Sequence, residues 1–315
     1  VNPRTVLRAL QQLTAGGLIV PNGNRGFLIP EEGSRRPVSG NIVIFHPGPV
    51  SGNPGQLDRL ITEAGMRPIS ISTPAADLCG VRSFWETLSA DGVIFMNSSL
   101  DRESAYQLKL SGIPFVAANR MPREWGVNCV EFDHESALRL FLKALIRRGH
   151  RRIALLNPRY PLRYFREIIF SAYFEVMNAY AIFDPELFVY PDESQPYEAA
   201  LAAGVERLLA LPRPPDAIYS SVPEPELRRI LAEHRVTLPK AVECGFSRIF
   251  EEPAPDGGEP GLVYRYDRLR ESLWELLQLV IADPVRTPET RLIPVPVIGP
   301  DGELLTAATN SQPRN

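Results

Sequence analysis

The chain of 315 residues is poor in cysteine, with Cys79, Cys129 and Cys244 the only three. They are odd in number, far apart and set in apolar surroundings, which excludes a disulfide framework and predicts buried thiols of a reducing compartment. Histidine is also scarce, and neither His-x-x-x-His nor Cys-x-x-Cys occurs, so the usual spacings of a zinc site are missing. There is no Gly-x-Ser-x-Gly, and no phosphate-cradling glycine motif follows a strand; "PDGGEP" near Asp256 reads as a loop. Without a nucleophile–base set or a metal set, the sequence predicts no enzyme, no cofactor and no metal. No apolar run approaches the roughly 20 residues that span a bilayer, and no secretory leader pattern is visible. A cytoplasmic protein with no membrane contact is expected.

What is present points to a globular α/β protein. Hydrophobic residues make up 44% and charged residues 23%, ordinary for a packed chain, and the length predicts two or three compact units. The net charge of −3 is unevenly spread. Up to Val38, five arginines stand against two glutamates, so the remainder carries −6. A small basic head on an acidic body suits a chain whose first part meets nucleic acid.

The head reads as one helix and one hairpin. Val6, Leu7, Leu10 and Leu13 form an apolar stripe at helical spacing, with Asn2 as N-cap, Pro3 in the first turn and Gly16-Gly17 as the stop. Leu18–Val20 and Phe27–Ile29 flank an Asn/Gly-rich turn. Asn2, Arg4, Thr5 and Arg8 on the helix and Arg25 at the turn tip are the candidate DNA-binding residues, since such side chains hold phosphates and read base edges. One helix and one hairpin cannot bury a core, so further helices are expected to precede Val1. The run "NPRTVLRALQQLTAGGLI" followed by "NRGFLI" resembles the recognition helix and wing of a GntR-type winged helix-turn-helix. That resemblance implies a partial winged helix over 1–30. "EEGSRRPVSG" then has linker composition, placed at 31–39.

From Gly40 onward, short β-branched runs alternate with helical stretches: "NIVIF", "PISIST", "GVIFMN", "IPFVAAN", "RIALLN", "DAIYSS", "AVECGF". This alternation predicts parallel sheets with helices on both faces, and the continuous apolar runs predict strands buried on both sides. The segment holding "VEFDHESA", "RRGHRRIALLN", Arg166 with Phe170, "DAIYSS" and "CGF" resembles the effector domain of LacI/GalR-type regulators. The resemblance spans about Gly40 to Leu305. It implies a periplasmic-binding-protein-like type I fold of two Rossmann-like subdomains with a cleft, one from about 40–131 plus 247–283 and the other from about 132–246 plus 284–315.

The same resemblance implies a bacterial transcriptional regulator, a homodimer in which a small effector, sugar or sugar-acid-like, alters affinity for a DNA operator. Dimerisation is expected through helices near Gln56–Ala64 and Arg82–Leu88, with Phe84 or Trp85 facing a partner. The positions that match the family's ligand contacts are His46, Asn97, Ser98, Asn119, Arg120, Arg166, Ser220, Ser221 and Ser247. Val222-Pro223 and Ser247-Arg248 stand where the family usually has Asn-Asp and Asp-Asp. Convergence of Arg120, Arg166 and Arg248 would favour an anionic ligand, unless Glu224, Asp133 or Glu193 neutralises them. A solute-binding protein of a transport or sensing system shares the body's fold and is the alternative; DNA binding separates the two.

Overall fold

The structure is a computed structural model that describes residues 3–15, 18–21, 26–28, 39–46, 55–72, 89–96, 100–119, 121, 123–156, 163–189, 194, 196–222, 224–239, 242–250, 259–284 and 286–305. It divides into two compact units, Val1–Phe132 with Asp267–Ile293, and Asp133–Tyr266 with Pro294–Asn315.

The first unit begins with helix α1 (Pro3–Ala15) and a small antiparallel hairpin, β1 (Val20–Pro21) and β2 (Phe27–Leu28). A sheet follows, made of β3 (Asn41–Phe45), β4 (Arg67–Ile71), β5 (Gly92–Phe95), β6 (Phe115–Ala118), β7 (Asn128–Phe132) and β13 (Thr290–Ile293). Its order among the described residues is β13-β7-β6-β5-β3-β4, and every pairing is parallel. Helices α2 (Gly55–Glu63), α3 (Arg102–Ser111) and α8 (Tyr266–Ala282) complete the unit. Asp101 caps α3 by accepting the Ser104 N–H at 3.0 Å, and Gly112 ends it in the left-handed conformation at φ 66°.

The second unit contains β8 (Ile153–Leu156), β9 (Phe188–Val189), β10 (Ala217–Ser220), β11 (Glu243–Phe250), β12 (Gly261–Arg265), β14 (Val297–Ile298) and β15 (Leu304–Leu305), in the order β15-β14-β12-β11-β10-β8-β9. Strands β8 to β12 run parallel, and β14 and β15 close the edge antiparallel. Its helices are α4 (His134–Arg147), α5 (Arg163–Ala179), α6 (Tyr197–Leu209) and α7 (Glu224–Glu233). Strands β5 to β8 and β10 are buried at every position, the burial that continuous apolar runs require.

Two exchange points differ from the sequence expectation. Residues 247–266 stay in the second unit, because β12 pairs with β11 (Phe246 opposite Gly261) rather than crossing to the first sheet. Conversely, 290–293 belongs to the first unit, pairing with β7. The run "RLIPVPVIG" is divided between β13 and β14; Pro294 and Pro296 lack the N–H a ladder needs, and the chain changes sheet there. Strand β7, which opens "VEFDHESA", was not anticipated. The expected helix at 84–88 lies outside the described residues.

The head also differs. Leu7, Leu10, Gln11 and Thr14 form the half-buried side of α1, while Val6 and Leu13 are 45% and 38% exposed. Helix α1 and β1 rest against α3, with Thr14 so close to Gly112 that an added Cβ there would meet its methyl carbon at 2.7 Å. Of the described cysteines, Cys129 and Cys244 are both free, and burial pushes the Cys244 thiol up to about 11. Among the described residues no helix is long and apolar enough to cross a membrane.

Each sheet is registered by one aspartate directly ahead of an inner strand. Asp91, before β5, accepts the Gly40 N–H at 2.7 Å, the Ser39 N–H at 3.0 Å and the Ser39 hydroxyl at 3.2 Å. Asp216, before β10, accepts the Arg151 N–H at 3.0 Å and the Arg152 N–H at 3.2 Å, with the His150 ring at 3.3 Å. Asp216→Ala should therefore cost about 1–3 kcal/mol in urea unfolding, the range for stranding backbone donors, and Asp216→Asn less. Gly245 leads to a second expectation. A Cβ there would sit 2.2 Å from the ring of fully buried Phe141, so Gly245→Ala should destabilise by about 1–3 kcal/mol through overpacking.

Candidate functional site

In open parallel sheets, the carboxyl ends of strands are where ligands bind. In the second unit, that end of β10 and β11 carries Tyr219, Ser220, Ser221, Ser247 and Arg248. Tyr219 is fully buried, and its phenol and the Ser247 hydroxyl are 2.9 Å apart. Burial pushes the Tyr219 phenol up to about 12, so it remains a neutral donor at ordinary pH. The Ser220 hydroxyl is closed on its own turn, donating to the Val222 carbonyl at 3.0 Å and accepting its N–H at 3.1 Å. Ser221 differs: its hydroxyl lies near Tyr219, yet its buried oxygen makes no hydrogen bond.

Arg248 lies beyond the last paired residue of β10. Its Nε and one terminal nitrogen are buried without an acceptor. Burial lowers its pKa, and the charges of Glu259 and Glu224 oppose that shift. Those two carboxyls form a hydrogen-bonded pair. The bond between them is the chief cause that raises the Glu259 carboxyl above the usual glutamate range and holds Glu224 below it. Arg228, one turn along α7, is ion-paired to Glu224. This turns the expectation for Arg248: the cation is set against acids of its own unit. Glu224 had been considered as such a neutraliser; Glu259 had not, and only its return beside α7 reveals it.

In the first unit, His46 follows β3, with its backbone N–H donating to the Ile71 carbonyl at 2.9 Å. Its Nε2 is buried without a hydrogen bond, and so is one carboxylate oxygen of Asp58. Burial lowers the imidazole pKa; the Asp58 charge opposes the shift and Arg270 adds to it. Gln56 on α2 donates to the Asp267 carbonyl and the Glu271 carboxylate, both at 3.4 Å, which ties α2 to α8. Asn119 ends β6 at φ 75°, in the left-handed region, and its N–H donates to the Val130 carbonyl at 2.7 Å. Asp58 and Arg270 were missed by sequence reading, because nothing in their helices marks them as neighbours of a strand-end histidine.

Several expected residues lie outside the described residues: Asn2, Arg25, Asn97, Ser98 and Arg120, together with Phe84 and Trp85. Arg166 lies in α5, with its side chain outside what is described. Arg4, Thr5 and Arg8 are on α1 and exposed. Among the described residues no group of His, Cys, Asp or Glu is placed to hold a metal ion.

No protein-family model and no curated protein matches the chain. Solved structures do. A regulatory protein of the LacI family from Chloroflexus aggregans is 18% identical, covering 82% of this chain and 97% of its own at a TM-score of 0.65. A LacI family transcriptional regulator from Enterococcus faecium, solved with bound ribose, is 17% identical and covers 82% and 96% at 0.61. The transcriptional regulator CelR in complex with cellobiose is 18% identical and covers 97% and 90% at 0.62. The fold is the periplasmic-binding-protein-like fold of LacI-type regulators.

The GntR-type assignment of the head is corrected by the same matches: LacI-type architecture is what they indicate, and no GntR-type domain. The likeness to CelR extends over nearly the full chain, head included. The physical reason for the error is size. A short amphipathic helix, a glycine stop and a two-strand hairpin are generic, and the sequence run that resembled a wing specifies little beyond apolar strands around a turn.

The Glu224–Glu259 pair gives a direct check. In a carbon-13 carboxyl titration, one of the two should titrate below and the other above the ordinary glutamate value, and Glu224→Gln should bring Glu259 back down.

Proposed function

We propose that the protein is a DNA-binding transcriptional regulator of the LacI type, whose body binds a small polar effector that alters its affinity for DNA. The observation that carries the effector reading is the set of buried, unanswered polar atoms at the strand ends. They are the Ser221 hydroxyl and Arg248 nitrogens in one unit, and His46 Nε2 and an Asp58 oxygen in the other. Buried polar groups are nearly always hydrogen-bonded, and the exceptions ask for a missing partner. A hydroxylated molecule supplies both donors and acceptors. The relatives bound to ribose and cellobiose are consistent with that chemistry.

A neutral polyol suits this set better than an anion, because Glu224 and Glu259 already face Arg248. Ser221, Ser247 and Arg248 are the proposed contacts in the second unit and His46 and Asn119 the candidates in the first, with Asn97, Ser98, Arg120 and Arg166 added by the family resemblance. On the head, Arg4, Thr5 and Arg8 are the proposed phosphate and base contacts, with Asn2 and Arg25 beside them. The effector acts by linkage: it shifts DNA affinity only by as much as it prefers one conformation of the dimer over the other.

The test has two arms. A calorimetric screen of neutral mono- and disaccharides against the matching sugar acids should find a neutral sugar bound more tightly than its acid. Arg248→Gln should then weaken that sugar about tenfold, as expected for a charged hydrogen bond. Selection from a random duplex library should recover a sequence retained by the protein and released or tightened by the same sugar. Retention of no duplex, with a sugar still bound, would overturn the regulator reading in favour of a solute-binding role.

A further inference from the structure

The first unit has a second concavity, at the end of its sheet opposite to His46 and Asn119. The amino-terminal ends of β6, β7 and β13 form its floor, and α1 forms one wall. Its volume is about 650 Å³. Four cations line it: Arg4 and Arg8 from α1, Lys109 from the end of α3, and Arg286 from the segment before β13. Among the described residues, the carboxylates that line it are Glu124 and Glu289. Glu289 is already engaged, by Arg291 at 2.6 Å and by Arg286 at 3.3 Å. Between the charges lie Leu7, Phe115, Met121, Val127 and Val280.

Three features make this a built site rather than a crevice. Arg286 keeps a second terminal nitrogen buried with no acceptor, although its neighbour is paired to Glu289. Lys109 is held in place by donating its ammonium to the Trp125 carbonyl. Burial, helped by the positive charge of Arg4, brings that ammonium down to about 8, so it sits where a negative charge would be welcome. Finally, the apolar side chains give a compact hydrocarbon body a dry surface to lie on.

We propose that this cavity is a binding site for a small amphipathic carboxylate, an acid with one anionic head and an aromatic or branched apolar body. The head lies against Arg286 and Lys109, and the body against Phe115, Met121 and Val280. Arg8, exposed on α1, closes over the anion from the head side. The claim stands apart from the effector reading, since it does not use the strand carboxyl ends; it shares Arg4 and Arg8 with the DNA reading, and its readout is benzoate binding without nucleic acid.

Benzoate and its neutral isostere benzamide are suitable probes, titrated into the full chain by calorimetry near neutral pH. Benzoate should bind at least tenfold more tightly than benzamide. Arg286→Gln should weaken benzoate about tenfold, the scale of one lost charged hydrogen bond. Arg8→Gln, on an exposed side chain that cannot disturb folding, should weaken it about threefold. Arg59→Gln removes the same charge from an exposed position on α2 of the same unit and should change nothing. Equal affinity for the two probes, no benzoate binding at millimolar concentration, or benzoate binding indifferent to both Arg286→Gln and Arg8→Gln would overturn the proposal.

Discussion

Both units depend on a carboxylate that accepts backbone N–H groups across the start of a parallel pair. Asp91 holds Ser39 and Gly40 ahead of β3, and Asp216 holds Arg151 and Arg152 ahead of β8. The backbone completes each clamp in reverse, with the Asp91 N–H donating to Asn41 at 2.8 Å and the Asp216 N–H to Arg152 at 2.9 Å. Even the accessory side chain corresponds, Ser39 hydroxyl in one unit and His150 imidazole in the other. A parallel strand has no tight turn to fix its register, and a slip of one residue would send every side chain to the opposite face. Fixing the start of β10 against β8 therefore decides where Ser221 emerges at the far end. The chemistry of the carboxyl ends is set at the amino ends.

The motif "RRGHRRIALLN" gains a physical meaning from this. His150 bridges Asp216 and Glu243, its Nε2 lying 2.6 Å from the latter. Arg148 approaches Glu243 at 3.5 Å and is ion-paired to Asp301 near β15. Thus three parallel strands and the antiparallel edge are stitched by one charged run following α4. Partly exposed ion pairs contribute little each. Their value here lies in geometry, since each partner sits within a residue or two of a strand it helps to align.

Much of the body was legible because buried parallel strands write themselves as short, unbroken apolar runs, and α3 and α4 each follow an aspartate N-cap, Asp101 and Asp133. Sheet membership was not legible. Nothing in "GLVYR" says that β12 stays beside β11, and the switch between β13 and β14 hides in Pro294 and Pro296 within one apolar run. The head was misread for a related reason. Its helix and hairpin were correct as elements, but their packing against α3, and the family they belong to, lie in contacts that thirty residues do not encode. At the strand ends, Ser221, Ser247 and His46 were named as candidates from the family resemblance. Asp58, Arg270 and Glu259 were not, since each reaches its place through tertiary packing.

Charge shows where sequence reading and structure part most clearly. The sequence aligned arginines with strand ends and drew an electropositive site from them. In the second unit, however, the one such arginine whose side chain is described, Arg248, has two glutamates in its field, hydrogen-bonded to one another. Among the described residues, Arg4, Arg8, Lys109 and Arg286 gather at the base of the first unit with Glu124 and Glu289, and Glu289 is shared by two arginines. Burial depresses a lysine there without depriving it of its place in the cluster. An anion that enters that cluster meets a buried Arg286 nitrogen with no acceptor, whereas one entering beside Arg248 also meets the charges of Glu224 and Glu259.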